Sequence, residues 1–244
     1  MKYKKLCLLT IAFFTLTLTG KSQTVDEIIS KYVQAIGGKE KFAKITSMYT
    51  ESMVDVMGNQ SSSSMVILNG KGAKIAMDVM GQKMIQCYTD SSGWVINPMS
   101  GSSEAVDMPA DQYNAGKGQI YLMDALGEYA ARKYKAELLP SEEVGTVKAY
   151  KIKLTSPENI TFNYFIDPSS YYVIKMTMSG NMMGQEVTVT NTLSDYRQTT
   201  EGIFLPYKVE VDYGGQFSLV INTKKVEFNK PVDASIFKKG NTNL

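Results

Sequence analysis

The chain contains no histidine. That absence removes Ser-His and Cys-His nucleophile pairs and the commonest protein ligand for a transition metal. Arginine is nearly as scarce, with Arg132 and Arg197 the only two in 244 residues. Cysteine occurs only at Cys7 and Cys87. No apolar run is long enough to cross a ~30 Å hydrocarbon core as a helix. What acid/base chemistry remains would have to come from carboxylates. The visible clusters, Glu142-Glu143 and Asp107/Asp111, sit in polar stretches and read as solvated surface. Gly70-Lys71-Gly72 and Gly116-Lys117-Gly118 lack the spacing and the Ser/Thr of a phosphate loop. Asn59-Gln60-Ser61 and Asn159-Ile160-Thr161 match the glycosylation pattern but read as ordinary turn residues. No enzymatic activity, cofactor or metal is expected.

The first residues form a pattern of their own. Lys2, Lys4 and Lys5 precede an apolar stretch from Leu6 to Leu18, and Gly20 and Ser22 stand three and one residues before Gln23. This reads as a secretory signal peptide over 1–22, so the mature chain is expected to be exported and periplasmic. Cys7 lies ahead of the apolar stretch, where it is misplaced for acylation at the cleavage point. The leader takes four lysines and no acid, leaving 22 basic against 24 acidic residues, a net charge of −2. A mildly acidic chain with no basic cluster lacks the electrostatic footprint of a nucleic-acid binder. Cys87 is then the one thiol. It alternates with Met84, Ile85 and Tyr88, and reads as a small buried hydrophobe.

The mature chain, 23–244, reads as one domain. Thr24 and Glu27 form a capping box ahead of an apolar stripe made by Val25, Ile28, Ile29, Tyr32, Val33 and Ile36, which predicts a helix over 24–37 ended by Gly37-Gly38. The period then changes to two, predicting strands over 47–97. Asn69-Gly70 signals a hairpin with positive φ at both positions. Residues 109–139 break the pattern and predict a helical insertion. Within it Ile120, Met123, Leu126, Ala130 and Tyr134 fit one helix face, and Pro140 is its stop. Strands resume over 148–228; in Phe204–Tyr213 the residues Tyr207, Val209, Val211 and Tyr213 alternate with Lys208, Glu210 and Asp212. Ser179-Gly180-Asn181 reads as a turn. The total is about eleven strands with no βαβ alternation, hence antiparallel. A sheet of that size must curl or close. The fold class is mainly β (α+β): a curved sheet around two amphipathic helices.

Several short stretches in this order are similar to the LolA-like superfamily of periplasmic lipoprotein carriers and their relatives. They are Ala35-Ile36-Gly37-Gly38-Lys39-Glu40, then Lys44-Ile45-Thr46-Ser47, then Asp90-Ser91-Ser92-Gly93-Trp94-Val95-Ile96-Asn97. Tyr164-Phe165-Ile166-Asp167, Gly202-Ile203-Phe204-Leu205-Pro206-Tyr207-Lys208-Val209 and Asn229-Lys230-Pro231-Val232-Asp233 with Phe237 follow. The style of leader and motifs resembles relatives from Bacteroidetes. The resemblance implies an incomplete antiparallel β-barrel of about eleven strands with a helical lid over an acyl-chain cavity. True carriers share an early-strand Arg that acts in lid control, and the strands Ser47 to Asn97 have none here.

Methionine is the feature present in excess. Fourteen remain after the leader, among them Met48, Met53, Met65, Met77, Met84, Met176 and Met178 in strands. Their flexible, polarizable side chains suit a surface that must fit varied apolar partners, although each alone is ordinary core filling. Met182 and Met183 read as turn residues available for a membrane or partner contact. Trp94, the sole Trp, reads as a core anchor. The expected ligand-lining set is Ile28, Ile29, Tyr32, Met77, Met84, Met123, Leu126, Met176, Met178, Val209, Val211 and Leu219. The expected function is a periplasmic carrier or binding protein for lipid, acyl chains or lipidated protein, as in outer-membrane lipoprotein sorting. Its partners would be a hydrophobic small molecule or lipoprotein acyl chains, with an envelope membrane protein as a further partner and no nucleic acid. The alternative is a non-enzymatic envelope interaction or sensory module with the same fold and no ligand cavity.

Overall fold

The computed structural model describes residues 23–79, 81–100, 103–182 and 185–243. The expected leader and Met183 lie outside them. The chain begins with α1, Val25–Ala35. Its capping box is reciprocal: the Glu27 N–H donates to Thr24 Oγ1 at 3.2 Å, and the Thr24 N–H donates to Glu27 Oε2 at 2.9 Å. The helix buries Ile28, Ile29, Tyr32 and Val33 on one face. Gly37 follows at φ +125°, where a Cβ would sit 2.9 Å from the Ile203 Cα. Only glycine lets the helix end lie that close to the strand it rests on. A one-turn helix, α2 (Lys39–Phe42), leads into the sheet.

Thirteen strands form one antiparallel sheet. They are β1 Ser47–Val56, β2 Asn59–Leu68, β3 Gly72–Val79, β4 Gln82–Thr89, β5 Gly93–Ile96, β6 Val106–Asp107, β7 Lys135–Val144, β8 Val147–Thr155, β9 Thr161–Ile166, β10 Val173–Met182, β11 Gln185–Gln198, β12 Phe204–Tyr213 and β13 Ser218–Phe228. Their order is β6-β5-β4-β3-β2-β1-β13-β12-β11-β10-β9-β8-β7, so the sheet has two free edges and does not close. The count exceeds the expected eleven by the two edge strands, β6 and β7. β6 is two residues long. β7 carries Pro140 beside a register shift between Leu139 and Glu142. An edge strand tolerates a proline because its N–H need not join a ladder. Pro140 therefore marks an edge strand, not the stop of a helix.

The insertion between the edges also differs from expectation. It holds α3, Ala110–Gly116, and a 3-10 turn, Lys117–Ile120, but residues 121–134 form no helix, with consecutive turns only over 125–133, and 135–139 already belong to β7. The stretch is capped at both ends. The Asp124 side chain takes the Gly127 N–H at 2.9 Å, and Lys133 is left-handed at φ +59°. Ile120, Met123 and Leu126 are nonetheless buried, since turns can present every third residue inward as a helix does.

The expected Asn69-Gly70 geometry is corrected as well: of the two, Gly70 alone has positive φ. The Asn69 side chain instead accepts the Leu122 N–H at 3.2 Å, and the Gly70 N–H donates to the Ile120 carbonyl at 2.8 Å, stapling this turn to the insertion. Turns with both central φ positive are at Met57-Gly58, +53° and +86°, where Asp55 Oδ1 accepts the Gly58 N–H, and at Gly214-Gly215, +65° and +75°. Ser179-Gly180-Asn181 is not a turn: it pairs with Thr188, Val187 and Glu186 inside β10 and β11.

The sheet curls around α1. Met48 of β1 and its partner Phe228 of β13 are far in strand order from Ile152 and Leu154 of β8, yet all four share one core with Ile28, Ile29 and Leu126. The other face is covered over β1–β5 by the C-terminal tail. There Val66, Ala76, Ile85, Trp94 and Ile96 pack on Phe237. Trp94 Nε1 donates to the Phe237 carbonyl at 2.9 Å. Lys74, fully buried, donates its ammonium protons to the carbonyls of Ile236, Asn241 and Asn243. Cys87 is fully buried beside it, and burial pushes its thiol up to about 12.

Candidate functional site

The strand register decides which side chains face inward. Met77 lies opposite Met84, Met176 opposite Tyr164 and Asn191, Met178 opposite Phe162 and Val189, Val209 opposite Ile221 and Leu193, and Val211 opposite Leu219. Directly opposed residues share a face. Followed strand to strand, the pairing puts Met77, Met84, Met176, Met178, Val209, Val211 and Leu219 on the face that holds α1.

Inward orientation does not bring them to one place. Ile28, Ile29, Met123 and Leu126 are packed inside the core under α1, each at most 5% exposed. Met77, Met84, Met178, Val209 and Leu219 are half-buried and belong to none of the three packed cores. They lie toward the end of the sheet that carries the β1–β2, β3–β4 and β12–β13 hairpin tips. Val54, Val189 and Val211, buried on the same face, are likewise outside those cores. The concave face therefore has a filled end and an apolar trough.

Tyr32 and Met176 stand between the two. They line a cavity of about 250 Å3, walled by Ile36, Phe42, Leu193 and Leu205 among others. A second cavity of about 270 Å3 lies between α2 and the insertion, and Phe42 and Leu122 line both. Each is slightly smaller than the ~300–1,000 Å3 of ordinary small-molecule sites. The insertion lies close above this region. A Cβ on Gly116 would fall well inside contact distance of the Tyr88 ring. Lys117 pairs with Glu158 of the β8–β9 loop at 2.6 Å, reaching across from one half of the sheet to the other.

One functional residue escapes the sequence pattern. Asp124 lines the first cavity and is half-buried there, accepting the Tyr32 O–H at 2.9 Å and the Gly127 N–H at 2.9 Å. Burial holds its carboxyl above the usual carboxylate range, against the opposing pull of those two bonds and of Arg132. Tyr164 and Tyr196 line the same cavity, and burial followed by the Asp124 charge raises both phenols. The available signal was an acid set directly between Met123 and Ala125-Leu126.

The other acids lie elsewhere. Glu142 pairs with Lys151 at 2.6 Å and Asp107 with Lys239 at 2.9 Å. Among the described residues no three Asp, Glu or Cys side chains come together as a metal site, and no helix is long and apolar enough to cross a membrane. Trp94 is a core anchor on the convex side, away from the cavities.

No family model matches the chain, and no curated protein is similar to it in sequence. Solved structures are similar in fold. A LolA superfamily protein from Nitrosomonas europaea superposes with a TM-score of 0.59 at 13% identity, covering 89% of this chain and 99% of that one. A DUF1329 family protein from Desulfovibrio piger gives 0.58 at 14%, covering 89% and 98%. A putative outer membrane lipoprotein-sorting protein domain from Vibrio parahaemolyticus gives 0.58 at 11%, covering 88% and 97%. At these identities the likeness is one of architecture: the chain has a LolA-like fold, an open, barrel-like antiparallel sheet.

Proposed function

We propose that this protein is a non-enzymatic periplasmic carrier or binding protein whose cargo is a lipid, an acyl chain or the acyl chains of a lipidated protein. The observation that carries the reading is on the concave face: half-buried Met77, Met84, Met178, Val209 and Leu219 face the same side of the sheet as Met176, which lines the 250 Å3 cavity under α1. Buried apolar area is worth about 25 cal/mol per Å2, so a chain laid along Met77, Met84, Met178, Val209 and Leu219 gains what a covering helix would have supplied. The LolA-like fold adds support, since one protein of similar fold is described as a putative outer membrane lipoprotein-sorting domain.

The second reading, an envelope interaction or sensory module, is favoured by the filled end, where Ile28 and Leu126 have no exposed surface. Native mass spectrometry of mature protein from a bacterial periplasm, followed by organic extraction, separates them. A co-purified lipid or fatty acid is the expected result. A clean apo mass together with no uptake of a fluorescent apolar probe overturns the carrier reading and leaves the interaction module.

A further inference from the structure

The cavity under α1 is not uniformly apolar, and its polar end has a definite sense. Asp124 brings two carboxylate oxygens, each with room for more than one donor. Two of the three phenol protons around it are engaged: Tyr32 O–H donates to Asp124 at 2.9 Å, and Tyr196 O–H donates to the Val173 carbonyl at 2.8 Å, while the Tyr164 O–H makes no hydrogen bond among the described residues. The Tyr196 ring is held by stacking on Tyr172, 4.3 Å between centroids. Arg132, whose charge acts on Asp124, directs its Nε and one terminal nitrogen to Glu128 and the Met123 carbonyl. The end of the cavity thus offers acceptors and a negative charge with the Tyr164 O–H beside them, an arrangement in which a hydroxyl can accept from Tyr164 and donate to Asp124. The opposite walls, Ile36, Phe42, Leu193 and Leu205, offer only apolar contact.

We propose that this cavity selects apolar molecules whose buried end is an uncharged hydrogen-bond donor, a long-chain alcohol or a glycerol monoester, and rejects free fatty acids. A hydroxyl can donate to Asp124 and remain neutral. A fatty carboxylate has no proton to give and meets a like charge in a low-dielectric site, where both the repulsion and the unpaired acceptors are costly. The inference rests on the binding-protein reading and adds the head group to it.

The test compares decan-1-ol with decanoate as competitors of a neutral fluorescent probe on the mature protein, in mildly alkaline buffer where Asp124 carries its charge. One hydrogen bond to a charged group corresponds to a selectivity of about tenfold to a hundredfold. The expected result is that preference for the alcohol, collapsing in Asp124→Asn. Tyr32→Phe, which removes a donor from Asp124 without touching its charge, keeps the alcohol preference and serves if Asp124→Asn does not fold. Decanoate binding as well as or better than decan-1-ol overturns the head-group inference while leaving an apolar carrier intact. Failure of both compounds and of the probe to bind overturns the carrier reading itself.

Discussion

The two ends of the concave face share strands β10, β12 and β13 and the same alternation, yet they have different fates. At one end Ile152, Leu154, Tyr164 and Ile166 meet α1 and the turns of the insertion, and everything between them is buried. At the other end Met77, Met84, Met178 and Leu219 point the same way and lie outside the packed cores. Alternation fixes the side of a sheet a residue faces, but the cover laid over that side is decided by elements distant in sequence. The residue types differ accordingly. Branched aliphatics and aromatics fill the covered end, where fixed rotamers pack to density. Flexible methionines concentrate where no fixed partner is present.

The sharpest test of this contrast is a pair of truncations. Leu126→Ala at the filled end should cost about 3–4 kcal/mol, as a fully buried leucine leaves a cavity behind. Leu219→Ala in the trough should cost about 1 kcal/mol or less, since a half-exposed side chain gives up little on truncation. Urea midpoints of the two variants settle it, and equal losses would mean that the trough is packed after all.

The convex side offers a third environment for comparison. Lys74 is as buried as Leu126 but is held by three tail carbonyls. Lys74→Met keeps the bulk and removes the donors, with an expected loss of ~2 kcal/mol. Trp94 donates to the same tail and is the only tryptophan. Its emission should shift to the red in this variant, even where the circular dichroism of the sheet is unchanged. An unshifted emission would mean that the tail is held by Phe237 packing alone.

Function should follow the opposite order to stability. Met77→Glu with Met178→Glu should cost at most about 1 kcal/mol, because both side chains reach solvent, yet it should abolish uptake of an apolar probe. Met176 is a poorer choice for this test because it packs against the filled core. Retained uptake in the folded double variant would move the site away from the trough and into the cavity under α1.

Much of this division was legible in the residues. The capping box of α1 and its apolar stripe are local signals, and local signals survive folding. The inward set of β3, β4, β10, β12 and β13 follows from period two alone. The parts that were not legible depend on distant partners. β7 reads weakly because an edge strand needs neither two apolar faces nor every N–H, so Pro140 looks like a stop. Residues 121–134 share the three-residue spacing of a helix, but Asp124 on Gly127 and the left-handed Lys133 confine the turns to a short stretch between them. Asn69-Gly70 has hairpin chemistry, but the insertion claims the Asn69 side chain. Lys74 reads as an outward charge until a tail more than 160 residues away in sequence supplies its acceptors.

The smallest expected effect concerns the boundary between the two ends, where Asp124 sits. Burial raises its carboxyl in the folded chain, whereas unfolded it ionises near ~3.9. The folded state therefore holds this proton more tightly. The stability associated with neutral Asp124 is full below the unfolded value and is lost as pH rises through the window between the unfolded and folded values. Other carboxyls slope the opposite way: Glu142 beside Lys151, and Asp195 beside Arg197, are held below their usual range and stabilise as pH rises. The raw pH curve mixes the two signs, and the informative quantity is the difference between the wild type and Asp124→Asn. Urea midpoints of both proteins across the acidic range should show the wild-type advantage shrinking with increasing pH, then levelling. A difference that grows with pH would mean that the Tyr32 and Gly127 bonds and Arg132 outweigh burial. The polar end of the cavity would then be a stabilising ion site rather than a strained acceptor awaiting a donor.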